Sequence, residues 1–355
     1  MNIKMKQKFY TFYLAIAAFV LFAASAIAQT YPATSYQLSN DKKTLLRWTG
    51  SETSIDLTTD ATFANIVTVN YEAFAELRGV KTITLPSTVT NIGGNAFYNC
   101  VALTSVNIPY GVERIEGGTF YGCASLASIS IPTTVTNIGY QAFYGCTALT
   151  AIDLPASVSY IGGQAFAYSG LTSIEIPEAV TGSLENGMFM GCTSLATVVL
   201  PSNISYIGYQ AFYGCTALKS VTAKAAVPPG VDGTAFYNVN KASATLYVPA
   251  ASLASYRTAV EWKDFYSILA IDVLSSITDA STSAEYAITS SGSTVSITTP
   301  QSAVGSKASI YTASGSLAAT VTLTSTQTTL STSSFAPGIY LINIAGVATK
   351  KFAVR

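Results

Sequence analysis

The phrase IGYQAFYGCTAL occurs twice in this chain, at residues 138–149 and 207–218, an offset of 69 residues that is three times 23. Looser copies surround both. Phenylalanine keeps the register at Phe74, Phe97, Phe120, Phe143, Phe166, Phe189, Phe212 and Phe236, every step being 23 residues except the last, which is 24. A unit this short cannot bury a core alone, so copies must stack on one another, and the repeat dictates a solenoid.

Within a unit the wording approximates LTSIxIPxxVxxIGxxAFxxCxx, as in Leu103 to Pro109 followed by Val112, Ile115, Phe120 and Cys123. Val106 and Ile108 alternate with Ser105 and Asn107, the period of a strand with one buried face. Each unit is therefore expected to supply one short strand. The following proline, for example Pro86, Pro109 or Pro132, has no amide hydrogen and turns the chain out of the sheet. Val, Ile and Phe then recur through a tight glycine-rich arc, too short for a regular helix. Strands are expected near residues 55, 83, 106, 129, 152, 174, 198, 221 and 246, giving about nine coils. Near Phe166 one residue is missing and Ser169 takes the cysteine position; an extra residue between Val180 and Leu184 restores the register.

This wording resembles the BspA-like branch of the leucine-rich repeats over about residues 51 to 270. The resemblance implies a curved right-handed solenoid with parallel strands along its concave face, and relatives of this kind imply adhesion. The overall expectation is a mainly β chain with short irregular arcs.

The ends differ in texture. Lys4, Lys6 and Lys8 precede an apolar run from Phe9 to Ala24, and Ala26-Ile27-Ala28 offers small residues where a signal peptidase reads, so residues 1–28 are read as an export signal cleaved before Gln29. No later segment has the ~18 unbroken apolar residues of a spanning helix. Residues 29–57, with Trp48 and the strand-like Ser54 to Leu57, read as an N-terminal cap and first strand. Residues 58–272 read as the solenoid, closed by a polar-faced segment with helical spacing at 246–269. Residues 273–284 read as a linker. Residues 285–355 alternate apolar and hydroxyl side chains in short runs and suggest a small β-sandwich. Ile310-Tyr311 with Gly315, the phrase Pro337-Gly338-Ile339-Tyr340 and the closing Lys350 to Val354 resemble the C-terminal sorting domain of the type IX secretion route. Thr299-Pro300 stands in place of that family's Pro-Asn-Pro signature. The resemblance implies handling by the type IX machinery through residues 285–355 and a secreted or outer-membrane location in a Gram-negative bacterium.

Charged residues make up 10% of the chain, the formal charge is zero and histidine is absent. Nothing here forms a basic footprint for nucleic acid, and the commonest general base and metal ligand is missing. No cofactor, metal site or catalytic group is expected, and the chain reads as a non-enzyme.

Cys100, Cys123, Cys146, Cys192 and Cys215 all stand three residues after the phenylalanine, where other coils place Leu77, Ser169 or Val239. Tolerance of Leu and Val marks a packing position, and a ladder of buried free thiols is expected ahead of disulfides. Tyr98, Tyr121, Tyr144 and Tyr213 follow the ladder phenylalanine, with Tyr140 and Tyr209 just upstream. These rings form either a contact shelf or a cover over neighbouring coils. Along the strands the outward positions are rich in hydroxyls; Asn107, Asp153 and Glu175 are the polar candidates there. The function expected is binding or adhesion to proteins or glycans outside the cell, the alternative being a self-associating surface or matrix component.

Overall fold

The computed structural model describes residues 30–271, 287–291, 294–312, 317–333, 335, 338–344 and 348–354. The export signal read at 1–28 and the linker read at 273–284 lie outside the described residues. The chain divides into two compact units, one running to Thr172 and including Glu185–Thr193, the other made of Ser173–Leu184 and the residues from Ser194 onward.

In the first unit the expected strands appear as the parallel ladder Ser54–Asp56, Thr82–Thr84 and Ser105–Val106, with Ile55, Ile83 and Val106 in register and buried. Near 129 and 152 no paired strand forms. A ladder two or three residues long disappears once a single pair of bonds opens, although the sequence alternation persists. A second ladder was not foreseen from the sequence. Tyr36–Leu38 pairs antiparallel with Thr44–Trp48, which continues in parallel into Thr68–Val69 and Asn91–Ile92. Arg114–Ile115, Asn137–Ile138 and Tyr160–Ile161 form a separate parallel sheet. Each of these later strands is two residues long, one side chain in and one out, so no alternation is long enough to be recognised.

The phenylalanines are the axis of this unit. From Phe74 to Phe189 six rings stack with centroids 5.2 to 5.7 Å apart and interplanar angles of 2 to 13°. All are fully buried. The backbone amides of Phe74, Phe97, Phe120, Phe143 and Phe166 also donate to the following coil, as Phe143 does to the Ala165 carbonyl at 2.8 Å. The arc around each ring is tightened at two left-handed positions, two residues before and two after the phenylalanine. Glu72 and Glu76, Asn95 and Asn99, Gly118 and Gly122, and Gln141 and Gly145 all have φ between 53 and 72°. Glycine and small or flexible polar residues tolerate that region.

Coil spacing is enforced by the glycine after the second-ladder isoleucine. A Cβ at Gly139 would lie 2.6 Å from the Gly117 amide nitrogen, and one at Gly162 would lie 2.6 Å from that of Tyr140. Only hydrogen fits there.

In the second unit the first-side ladder is longer: Ser173–Glu175, Thr197–Leu200, Ser220–Ala223, Thr245–Val248 and Ser267–Ala270 pair in parallel. The last strand lacks the proline and phenylalanine of the repeat, which is why nine coils are readable where the solenoid has about ten turns. Gly182–Leu184, Ile204–Ile207 and Gly230–Val231 form the second ladder, with a register shift at Gly182/Ser183 where the sequence carries its extra residue. Phe212 and Phe236 stack at 5.2 Å, and Trp262 and Phe265 then meet Phe236 edge-on at 67 and 88°. The helical spacing at 246–269 resolves into one short helix, Leu253–Tyr256, flanked by 3-10 turns. Pro249 precedes it, Glu261 at φ 69° breaks the helical run after it, and the buried Trp262 Nε1–H is bonded to the Pro229 carbonyl at 2.8 Å.

The C-terminal part forms two antiparallel sheets, one of Ala287–Ser291, Thr294–Thr298 and Gln327–Ser331, the other of Lys307–Thr312, Leu317–Thr322, Gly338–Ile344 and Ala348–Val354. Val295 and Ile297 of the first share a core with Ile310 and Ile342 of the second. This is a small β-sandwich.

Replacing Phe143 by Ala removes a ring that stacks on both neighbours and is expected to cost about 3 to 5 kcal/mol. Urea melts read this as a large fall in midpoint; an unchanged midpoint would refute the ring stack as the core.

Candidate binding surface

On the first-side ladder the polar candidates turn out differently. The Asn107 side chain accepts from the Leu85 amide at 2.7 Å and donates to the Leu85 carbonyl at 2.9 Å. It satisfies backbone groups where the preceding strand ends at Pro86, so its amide is occupied by structure. Asp153 is exposed in the first unit. Glu175, in the second, pairs with Lys224 at 3.0 Å, and Lys224 also meets Glu178 at 3.0 Å. Burial works against the Glu178 carboxylate, but the Ser202 amide and hydroxyl and the Lys224 ammonium outweigh it and hold its pKa below the ordinary range. Glu175 is thus the outer member of a three-residue charge cluster.

The tyrosines sort into two rows. Tyr98, Tyr121 and Tyr144 stack on one another, with centroids 4.9 and 4.6 Å apart and interplanar angles of 19 and 1°. In the second unit Tyr213 and Tyr237 stack at 5.5 Å and 8°. A ring stacked on both faces offers a ligand only its edge and hydroxyl. Tyr168 ends the first stack, tilted 59° to Tyr144. Ala167 takes the usual tyrosine position in this coil, and Tyr168 stands two after Phe166, in the left-handed position where other coils have Gly122 or Gly145, at φ 56°. A Cβ at Gly191 would lie 2.5 Å from its ring. The glycine below makes room for the displaced tyrosine.

The other row is open. Tyr140 is 56% exposed and Tyr209 50%. The Tyr140 hydroxyl donates to Gln164 Oε1 at 3.1 Å, and a Cβ at Gly163 would sit 3.6 Å from its Cδ2, ordinary contact distance. Tyr71, which the sequence reading did not select, repeats the arrangement: it is 56% exposed, packs against Gly94 and accepts from Asn95 Nδ2 at 3.0 Å. The signal was available, since Tyr71, Tyr140 and Tyr209 all stand three residues before the ladder phenylalanine, 69 residues apart.

Beside Tyr71 lies a groove of about 480 Å³, lined also by Asn70, Asn91, Gly93, Arg114 and Glu116. Arg114 Nε bonds Glu116 Oε1 at 2.9 Å. Glu116 occupies the close-approach position held by Gly93, Gly139 and Gly162 in other coils. A Cβ at Gly93 would lie 2.5 Å from the Tyr71 amide nitrogen, although the amides of Asn70 and Asp232, which hold the same position in their coils, still donate to the Leu45 and Ile207 carbonyls at 2.9 and 3.0 Å. At this coil the second ladder is interrupted: Asn91–Ile92 and Arg114–Ile115 belong to different sheets.

The five cysteines are free and buried. Cys100, Cys123 and Cys146 donate Sγ–H to the carbonyls of Phe74, Phe97 and Phe120 at 3.1 to 3.2 Å, and Cys192 to that of Phe166 at 3.0 Å. Among the described residues no three His, Cys, Asp or Glu side chains gather as metal ligands, and no helix is long and apolar enough to cross a membrane.

Stacked coils of 23 residues with a strand on one side and an arc around a buried phenylalanine define a leucine-rich-repeat solenoid. The chain belongs to the BspA type leucine rich repeat family, whose model matches residues 53–133 and 113–243 in six copies, more than half of the chain. A secretion system C-terminal sorting domain matches residues 290–355. The protein is therefore a secreted or outer-membrane cell-surface leucine-rich-repeat protein with a type IX sorting domain, through which it engages the secretion machinery. The repeat family is typically non-catalytic, and no enzyme domain is found in the chain. Among solved structures the chain is similar to a Treponema pallidum leucine rich repeat protein, at 29% identity over 54% of this chain and 91% of that one, with a TM-score of 0.47. It is also similar to a leucine-rich repeat protein from Bacteroides ovatus, at 22% identity over 66% and 88% with a TM-score of 0.28. A leucine rich cell surface protein from Faecalibacterium prausnitzii matches at 21% identity over 70% and 96%, with a TM-score of 0.27. No curated protein matches the chain.

Burial pushes the Cys100 and Cys146 thiols from 9.0 up to about 12. Between those values the unfolded chain has lost protons that the folded chain keeps, so stability is fully present below pH 9 and falls as pH rises toward 12. Urea midpoints are expected to decline across that window, and less steeply for Cys146→Val. The native chain should leave all five thiols unlabelled at pH 8, and all five should react once it is unfolded.

Proposed function

We propose that this protein is a non-catalytic adhesin that binds proteins or glycans at the cell exterior through side chains displayed on its solenoid. The supporting observation is the exposed tyrosine three residues before the ladder phenylalanine, found at Tyr71 and Tyr140 in one unit and separately at Tyr209 in the other. Tyr71 and Tyr140 are more than half exposed yet fixed by a bond to the next coil. A ring already held in place loses little conformational entropy when a ligand covers it, and tyrosine offers an apolar body with a polar tip. Tyr98, Tyr121, Tyr144 and Tyr213 contribute hydroxyl edges, Asp153 an exposed carboxylate, and Glu175 the outer edge of its cluster with Lys224 and Glu178. Repetition of a weak contact along a rigid coil stack makes the binding multivalent, which raises avidity without any one strong site.

Self-association is the second reading. Val260 and Tyr266, close to the end of the solenoid, are each 75% exposed, and terminal coils normally carry a polar outer face.

Binding of the mature chain, residues 29–355, to extracellular-matrix proteins and glycans measures the first reading. Tyr140→Ala is expected to weaken binding several-fold with the melting temperature nearly unchanged; a panel with no binder at all would sink the adhesin reading. Light scattering checks the second: a mass independent of concentration excludes self-assembly.

A further inference from the structure

Glycine follows the second-ladder isoleucine at Gly93, Gly139 and Gly162 because the neighbouring backbone leaves no space for a Cβ. Three coils carry an acidic residue at that position, Glu116, Glu185 and Asp232, and at Glu116 the second ladder is interrupted and a groove of about 480 Å³ opens. The arc of this coil stays in contact with the preceding one, as the bond from the Asn95 amide to the Gly117 carbonyl at 2.9 Å shows, while its strand side presents the polar residues Glu113, Arg114 and Glu116. Arg114 stands where the next coils have Asn137 and Tyr160, and its guanidinium is oriented by Glu116 at 2.9 Å. Its side chain remains 56% exposed. The opposite wall is the Tyr71 ring, held against Gly94 and by the Asn95 amide. Asn70 and Asn91 complete the lining with amides, which both donate and accept.

We infer that the groove between Tyr71 and the Arg114–Glu116 pair is a saccharide-binding site that takes a neutral sugar of an oligosaccharide chain. The volume falls in the range of small-molecule clefts, which combine an apolar wall with a few placed polar groups. A pyranose has an apolar C–H face that suits the exposed tyrosine ring, and its adjacent hydroxyls match a planar guanidinium fork beside a carboxylate and amides. Glu113 also lines the groove, so two carboxylates face one guanidinium. That excess negative charge disfavours sialylated, uronic or sulfated sugars. The groove is open along the surface, so a sugar within a longer chain can enter.

This inference rests on the binding role proposed above, and the experiment separates the two. The mature chain is applied to an array of neutral oligosaccharides with their sialylated and sulfated counterparts, and in parallel to matrix proteins. Binding to neutral glycans is expected, weakened about tenfold or more by Tyr71→Ala and by Arg114→Gln, and retained by Tyr71→Phe. Glu116→Gly restores the close-approach residue and is expected to raise the melting temperature while abolishing glycan binding. Glycan binding unaffected by Tyr71→Ala and Arg114→Gln, or a preference for anionic glycans, overturns the site. Binding to matrix proteins with none to glycans also overturns it and leaves the adhesin role standing. Absence of any binding overturns both.

Discussion

The backbone-to-backbone distance between successive coils is the constraint on which the rest depends. Parallel ladders on two sides, rings at 5.2 to 5.7 Å and thiols reaching the carbonyls of the preceding phenylalanines all require the same small rise per coil. Glycine at 93, 139 and 162 permits it, since a methylene there would push the coils apart. Stacking then turns 23-residue coils, none with a core of its own, into a continuous core within each unit, with the phenylalanines as its axis. The left-handed pair around each ring completes the unit, letting the arc close within a few residues.

Once the spacing is fixed, the surface is largely fixed too. Rings one residue after the phenylalanine fall face to face, so Tyr98, Tyr121 and Tyr144 mostly cover one another. Rings three residues before it fall on a neighbouring glycine, as Tyr71 and Tyr140 do, and leave much of their area open. In the first unit, position relative to the phenylalanine thus separates the mutually covered Tyr98, Tyr121 and Tyr144 from the displayed Tyr71 and Tyr140, whereas Tyr237, stacked on one face by Tyr213, is 58% exposed. Glu116 is a residue at which a coil departs from the shared wording without losing the axis, since Phe120 still stacks on Phe97 and Phe143.

The solenoid was legible because the repeat is long, regular and tied to a buried aromatic at a constant offset. Ile55, Ile83 and Val106 fell where the alternation placed them. The second ladder was hidden: two residues, such as Asn137 and Ile138, carry no detectable period. The final strand, Ser267–Ala270, was missed because a terminal coil drops the proline and phenylalanine that mark the others. At the surface, the identity of the polar residues could be read but not their partners. Asn107 is spent on the Leu85 backbone and Glu175 on Lys224, contacts across 22 and 49 residues that no local pattern encodes. Tyr71 was overlooked because its coil reads NYEAF rather than IGYQAF, although its offset from Phe74 is the same.

The edge-on rings beyond Phe236 have a consequence for length. A flat phenylalanine face at the end of a stack invites another coil, whether from the same chain or a different one. Trp262 and Phe265 stand at 67 and 88° to that face and occupy it with their edges, so the parallel series has no seat for a further member. The terminus acts as a stop rather than as a weaker version of the interior. Insertions or deletions of whole 23-residue blocks between the ends then change how many side-chain rows the surface displays while leaving the stop untouched. A single extra residue is absorbed in the step from Phe212 to Phe236, whose rings still stack at 5.2 Å, but a partial coil would leave the stack without its next ring. Length in this architecture is quantised, and its unit is the coil.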